Sequence, residues 1–416
     1  MRYPFRCRRA GRGDTDHVVT RKLDPFRIEA VRGEDPNPFI RHRELLHSWH
    51  LARRRGLTDD AYVDLVRRLD AAVGVVDGRG FRITPFGRNE GLSVRLGFDA
   101  TGGLWVKDET GNVAGSHKAR HLMGVLLYLN VVERREQPPL AIASCGNAAV
   151  AAAVLARAVE RPLRVFVPTD AEPAVLERLH ALGASIATCP RTPEVAGDPC
   201  VHGFHDALKD GALAFCCQGN ENGLTIEGGE LLGHEIIAQL DGAVLDHVVI
   251  QVGGGALASA VIQAFRFAHR AGLTSQLPRF HAVQTSGAWP LKRAWDVVQE
   301  RLRTEGEIDV IERATKHRSE FMWPWEETPH SVASGILDDE TYDWLAVVKG
   351  LLASRGSALV VDEASLREAN ALACETTGIP VSHTGSAGLA GLMQLRRDGV
   401  VKPGERAAVI FSGVQR

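Results

Sequence analysis

The chain has 416 residues, 44% of them hydrophobic, which is enough to bury a large core and points to two lobes rather than one. Its formal net charge is -2, so no whole-molecule field favours nucleic acid or an anionic membrane. Seven cysteines at irregular spacing, with Cys216 and Cys217 adjacent, are unlike a secreted disulfide framework and fit a reducing cytoplasm better.

Residues 1–35 are polar and proline-punctuated. Arg2, Arg6, Arg8, Arg9 and Arg12 have no apolar segment behind them, so they read as a frayed tail and not as a secretory signal. Over 38–72, Phe39, Leu45, Leu46, Trp49 and Leu51 recur at helical spacing, and Thr58-Asp-Asp60 is placed to cap a segment through Asp70. Residues 1–80 are therefore expected to form an N-terminal extension, partly disordered and then helical.

Beyond it, short apolar strands alternate with helices. The pattern predicts strands over 103–107, 140–143, 163–167, 185–188, 247–251, 280–284 and 407–411. It predicts helices over 118–133, 148–160, 174–182, 227–240 and 256–271. The uncharged run 140–156 approaches the length of a membrane span. Ser144-Cys-Gly-Asn147 interrupts it and alanine dominates it, so a strand, a loop and a small-residue helix explain it, and no membrane association is expected. Such alternation predicts an α/β fold with mostly parallel twisted sheets in two three-layer αβα lobes, over 81–222 and 223–416. Ligands of such folds sit at the carboxyl ends of the strands.

The motifs fall at those strand ends. Lysine is scarce, eight residues in a Lys+Arg total of 49, yet Lys118 stands just after the Gly115-Ser116 turn where an apolar helix begins. Arginine forms no Schiff base and does not readily lose its proton, whereas a lysine amine does both. Ser144-Cys145-Gly146-Asn147 lies between a strand and a helix. Its amides and Ser144 could hold a carboxylate and Asn147 could donate to a phenolate-like oxygen, although Ser and Asn are also ordinary helix-cap residues.

Val252-Gly253-Gly254-Gly255-Ala256-Leu257 likewise joins a strand to a helix, where glycines and free helix-start amides suit a phosphate. The spacing is not that of a dinucleotide fingerprint, and a tight turn is the plain alternative. Ser412 follows the last strand, where a hydroxyl could meet a ring nitrogen or satisfy a neighbouring carbonyl. Cys200-Val-His202-Gly-Phe-His205 has no second cluster to complete four ligands, so no metal is expected.

Together, an amine, a phosphate loop, an amide-rich carboxylate loop and a terminal serine describe one ligand: a phosphate-bearing pyridine aldehyde joined to lysine. On these motifs the chain resembles the pyridoxal-phosphate enzymes of the tryptophan synthase β-subunit superfamily (fold type II), which includes threonine synthases, threonine/serine dehydratases and cysteine synthases. The resemblance covers roughly residues 80–416 in the expected order. It implies pyridoxal 5'-phosphate as cofactor, held as a Schiff base by Lys118 with His117 beside the phosphate. It further implies Asn147 at the ring hydroxyl, Gly253, Gly254, Gly255, Ala256 and Leu257 around the phosphate, and Ser412 at the pyridine nitrogen. Ser144, Cys145, Gly146 and Asn147 would receive the substrate carboxylate.

Gly115-Ser-His117-Lys118 and Val252-Gly-Gly-Gly255 resemble the tryptophan synthase β-subunit most. Leu104-Trp-Val-Lys-Asp-Glu-Thr110 and Glu227-Gly228 with Gly233-His-Glu-Ile236 are closer to threonine synthases. Ala119-Arg120-His121 stands where threonine synthases have Asp-Arg-Gly, and Glu90-Gly-Leu-Ser93 with Thr84-Pro-Phe86 only partly follows their early motif. Both departures speak against a substrate-phosphate site.

The resemblance implies a cytoplasmic homodimer acting on a small amino acid, with no nucleic-acid partner. A serine at the ring nitrogen leaves the pyridine largely neutral, which favours expulsion of a β-substituent over transamination. The expected reaction is α,β-elimination on a β-hydroxy or β-substituted amino acid, with the freed Lys118 amine as general base. β-Replacement by an added nucleophile is the enzymatic alternative, and a cofactor-binding regulatory protein without turnover is the alternative from another class. Trp289, Trp323 and Trp325 are expected to pack, and Ser382 to cap a helix or shape the pocket.

Overall fold

A computed structural model describes residues 3–8, 10, 14–25, 33–133, 137–191 and 197–416. In chain order the strands are β1 (Phe86–Arg88), β2 (Gly103–Asp108), β3 (Leu140–Ala143), β4 (Leu163–Pro168), β5 (Ser185–Cys189), β6 (Leu213–Ala214), β7 (His247–Gln251), β8 (Arg279–Thr285), β9 (Ser357–Val361) and β10 (Arg406–Phe411). They form two sheets, β1-β2-β10-β7-β8-β9 and β5-β4-β3-β6. Every pairing is parallel except β1 with β2. The expected α/β fold with mostly parallel sheets is therefore the one observed.

Alternation along the strands explains the layering of the larger sheet. Val248, Ile250, Ala408 and Ile410 face a core shared with the helices Ala256–Arg270, Pro290–Arg301 and Trp344–Ser354. Val249, Ala407, Val409 and Phe411 face the opposite core, with the helices Glu363–Thr377 and His383–Arg397. Buried on both sides, β7 is apolar in an unbroken run and not by alternation.

The chain divides into two compact units. The first comprises Met1–Arg6, Val19–Ile83 and Asn112–Leu231, and the second Cys7–Val18, Thr84–Gly111 and Leu232–Arg416. These differ from the expected boundaries for two physical reasons. Strand β2 pairs with β10 over six residues, which draws 84–111 into the second unit. The helix Asp59–Asp77 packs on the helix Asn147–Ala158, so residues 38–77 belong to the first unit and not to a separate extension. Thr58 does cap that helix, accepting from Ala61 N at 3.2 Å, but the helix runs past Asp70 until Gly78 ends it in a left-handed conformation.

The described part of the tail is not frayed. Phe5 is buried and its carbonyl accepts from Gly223 N at 3.0 Å, while the Tyr3 hydroxyl donates to Glu133 at 3.0 Å. Aromatic residues among the arginines give the tail something to bury. Arg2, Arg9 and Arg12 lie outside the described residues. Among the described residues no helix is long and apolar enough to cross a membrane.

Candidate active site

In the first unit the approach to Lys118 is a constrained turn. Asn112 accepts from Val113 N at 2.8 Å, starting the single turn Val113–Gly115. Ala114 and Gly115 then both take positive φ, 54° and 64°. A residue with a Cβ adopts that conformation at a cost. Asp77 Oδ2 accepts the Ala114 N–H at 2.9 Å and holds it there. Ser116 and His117 are buried, and Lys118, half-buried, opens the helix Lys118–Val132.

One turn on, His121 is fully buried and donates from Nδ1 to Thr225 O at 2.9 Å, so its Nε2 carries no proton. Burial, and then the Lys118 charge, hold this imidazole far below its ordinary value, at about 3. His117 meets its ring edge to face, 5.6 Å between centroids. Room for the ring comes from the helix Thr225–Gln239: a Cβ on Gly228 would lie 2.2 Å from Arg120 O, and one on Gly229 would lie 2.1 Å from His121 Cε1. The Glu227-Gly228 motif is thus a close approach of two helices.

Ser144-Cys-Gly-Asn147 links β3 to the helix Asn147–Ala158. Ser144 N donates to Phe166 O at 3.1 Å, prolonging the β3–β4 ladder before the chain turns. Ser144, Cys145, Gly146 and Asn147 are all half-buried, whereas the helix behind them is buried from Ala148 to Ala156. Nothing lies within 4 Å of a Cβ built on Gly146. First-turn amides of this helix are therefore offered at an open edge. The helix packs against both Val113–Gly115 and Lys118–Val132, which brings Lys118 and the tetrapeptide onto neighbouring elements.

In the second unit the glycine loop joins β7 to the helix Ala256–Arg270. Its carbonyls are turned one way. Gly253 O accepts from Thr341 Oγ1 at 2.9 Å, and Gly254 O accepts from Asp343 N at 3.0 Å. In a trans peptide the N–H points opposite the C=O, so the amides of Gly254 and Gly255 point away from residues 341–343. Side chains have no space on the packed face: a Cβ on Gly253 would lie 2.3 Å from Asp338 Oδ2, and one on Gly254 would lie 2.9 Å from Tyr342 Cδ2. Gly255 adds a φ of +95°, and Ala256 and Leu257 are buried in the first helical turn. Aligned amides at the start of a 15-residue helix fit a phosphate dianion.

Ser412 follows β10, the neighbour of β7, so the serine and the glycine loop lie at the carboxyl ends of adjacent parallel strands. Ser412 is buried, and Gln251 Nε2 donates to its Oγ at 2.6 Å. Ser382 caps the helix His383–Arg397 and also donates from Oγ to Gly413 O at 3.2 Å, which fixes the segment after Ser412.

Other singled-out residues have structural roles. Trp289 and Trp325 pack at 5.2 Å, with the Arg293 guanidinium 3.9 Å from the Trp323 ring centre. His205 pairs with Glu221 at 3.1 Å, and Cys200 is buried. The Leu104–Thr110 motif holds a fully buried ion pair, Lys107 Nζ to Glu235 Oε2 at 2.7 Å, with Thr84 O and Gln239 Oε1 as further acceptors. Sequence reasoning missed Gln251, Thr341 and Asp343, and saw His121 only as a departure from a motif. Gln251 carried a readable signal: a polar residue closing an apolar strand directly before the glycines.

Residues 79–413 match the family described as pyridoxal-phosphate dependent enzyme. Threonine synthase of Methanocaldococcus jannaschii is 24% identical over 339 residues, 79% of this chain and 74% of that one. Threonine synthase 2, chloroplastic, of Arabidopsis thaliana is 25% identical over 310 residues, 74% of this chain and 55% of that one, so the chain spans about half the length of the plant protein. The processed form of threonine deaminase isoform 2 from Solanum lycopersicum shares the fold, with a TM-score of 0.62 at 18% identity over 96% of both chains. With the family matched over most of its length, and an amide cradle suited to the cofactor's phosphate, the chain belongs to the pyridoxal-phosphate-dependent enzymes of fold type II.

Proposed function

We propose that the chain catalyses α,β-elimination on a β-hydroxy or β-substituted amino acid, holding pyridoxal 5'-phosphate through Lys118. The observation that carries this reading is the orientation of the glycine loop, whose carbonyls are spent on Thr341 and Asp343 so that its amides are free for a phosphate. When bound, the cofactor supplies an electron sink conjugated to the substrate amine. Lys118 Nζ would hold it covalently and, once exchanged for the substrate amine, take the Cα proton as general base.

The amides of Gly253, Gly254, Gly255, Ala256 and Leu257 would hold the phosphate, with His117 beside it. Asn147 would donate to the ring hydroxyl oxygen, and Ser412 would meet the pyridine nitrogen. Ser144, Cys145, Gly146 and Asn147 would orient the substrate carboxylate through hydroxyl and amide donors. A neutral hydroxyl at the ring nitrogen supports loss of the β-substituent over transamination. Relatives named threonine synthase and threonine deaminase support a small amino acid as substrate. The enzyme is read as a cytoplasmic homodimer that uses no metal.

Borohydride reduction of the cofactor-loaded protein followed by peptide mass mapping tests the reading, and the label is expected on Lys118. L-Serine and L-threonine are then assayed for 2-oxo acid with and without a thiol. Release without the thiol supports elimination, a product formed only with it transfers the reading to β-replacement, and a label elsewhere than Lys118 ends it.

A further inference from the structure

Gln251 closes β7, a central strand of the six-stranded sheet, and its side chain is buried between the last strand and the helix His383–Arg397. Its Nε2 lies 2.9 Å from Gly385 O, 3.0 Å from Ile410 O and 2.6 Å from Ser412 Oγ. Two main-chain carbonyls settle which end of the amide is nitrogen, because an oxygen placed there would face two other carbonyl oxygens. The Oε1 end gains nothing from its position, since it is buried with no hydrogen-bond partner among the described residues. An apolar residue would avoid leaving that acceptor unsatisfied, so stability alone does not account for a glutamine here.

The polarity of the Ser412 contact follows. An amide nitrogen donates and does not accept, so Ser412 Oγ receives an N–H from Gln251 and directs its own proton elsewhere. We propose that Gln251 is a positioning residue that makes the Ser412 hydroxyl a hydrogen-bond donor toward the cofactor ring nitrogen, and so keeps that nitrogen unprotonated. The assignment rests on the functional reading above, in which Ser412 meets the ring. It identifies which residue sets the electronic state on which elimination depends. A hydroxyl free to turn could instead accept from a protonated ring while donating to Ile410 O or Gly385 O. The glutamine occupies both of those carbonyls and closes that route.

The test uses the full chain loaded with cofactor isotopically labelled at the ring nitrogen, read by NMR without substrate. The wild type is expected to give the unprotonated ring signal. Gln251→Met, similar in length but without donors, is expected to shift the neutral-to-protonated ratio about fivefold toward the protonated form, the bias that one ordinary hydrogen bond supports. In a Ser412→Ala background the same substitution is expected to leave the signal where Ser412→Ala alone puts it. A protonated ring in the wild type overturns the assignment even where the Met variant does not fold. So does an unshifted signal in Gln251→Met with cofactor bound, or an equal shift with and without Ser412. A wild-type borohydride label missing from Lys118 removes the functional reading itself, whereas a label on Lys118 with a protonated ring removes only the role of Gln251.

Discussion

Gly255 combines a φ of +95° with a would-be Cβ 2.9 Å from Thr341 Cγ2. Gly255→Ala is expected to cost about 1–2 kcal/mol in backbone strain. Because that strain falls on the amides proposed to hold the phosphate, cofactor affinity should drop by about tenfold, about 1.4 kcal/mol, measured by equilibrium dialysis. Gly229 poses a different kind of contact, since its neighbour is the imidazole of His121 and not backbone. Gly229→Ala should therefore lower the urea midpoint, and adding His121→Ala should cost less than the sum of the two single changes. At this scale the sequence was readable where composition singled a residue out: one lysine at a strand-to-helix junction in an arginine-rich chain. It was silent where a role depends on a partner far along the chain. Gln251 and Ser412 are 161 residues apart, and no local pattern joins them.

Among the elements, β3 and β7 have the bounds their apolar runs predicted, and the other predicted strands are longer by one or two residues at an end. Strands β1 and β6 escaped because three and two residues carry no periodicity. Strand β9 is an edge strand with only two of its five residues buried. Motif reading found β2 but not what its lysine does. Lys107 and Glu235 are both fully buried, and the strand is tied through them to the helix Thr225–Gln239. Lys107→Met leaves Glu235 buried without its cation, and unfolding should show a loss of about 3–5 kcal/mol. The double change Lys107→Met with Glu235→Leu should recover most of that loss, because the cost lies in the orphaned charge. Failure to recover it would mean that Lys107 acts mainly through Thr84 O and Gln239.

For the whole molecule, the lobe boundaries were the least legible feature, because strand pairing and helix packing join segments that are distant in sequence. Stability against pH is also a property of the entire chain. Burial lowers His121 and His281 from 6.5 to about 3, so between those values the unfolded chain binds more protons. Their contribution is fully present above pH 6.5 and is lost as pH falls, at up to about 1.4 kcal/mol per pH unit for each group. Burial raises Glu227 from 4.5 to about 7, so its contribution has the opposite sign and falls as pH rises through that window. The urea midpoint should therefore drop most steeply below pH 4.5, where nothing offsets the imidazoles. His281→Gln should flatten that drop, and Glu227→Gln should steepen the curve between pH 4.5 and 6.5. His281 belongs to a chain of contacts, Ser357 to His281 at 2.8 Å, His281 to His247 at 3.0 Å and His247 to Glu405 at 3.1 Å. That chain crosses the amino ends of four strands, whereas the glycine loop and Ser412 stand at the carboxyl ends. Acid tolerance and chemistry thus occupy opposite rims of one sheet, and natural selection or an engineer is free to retune the first without touching the second.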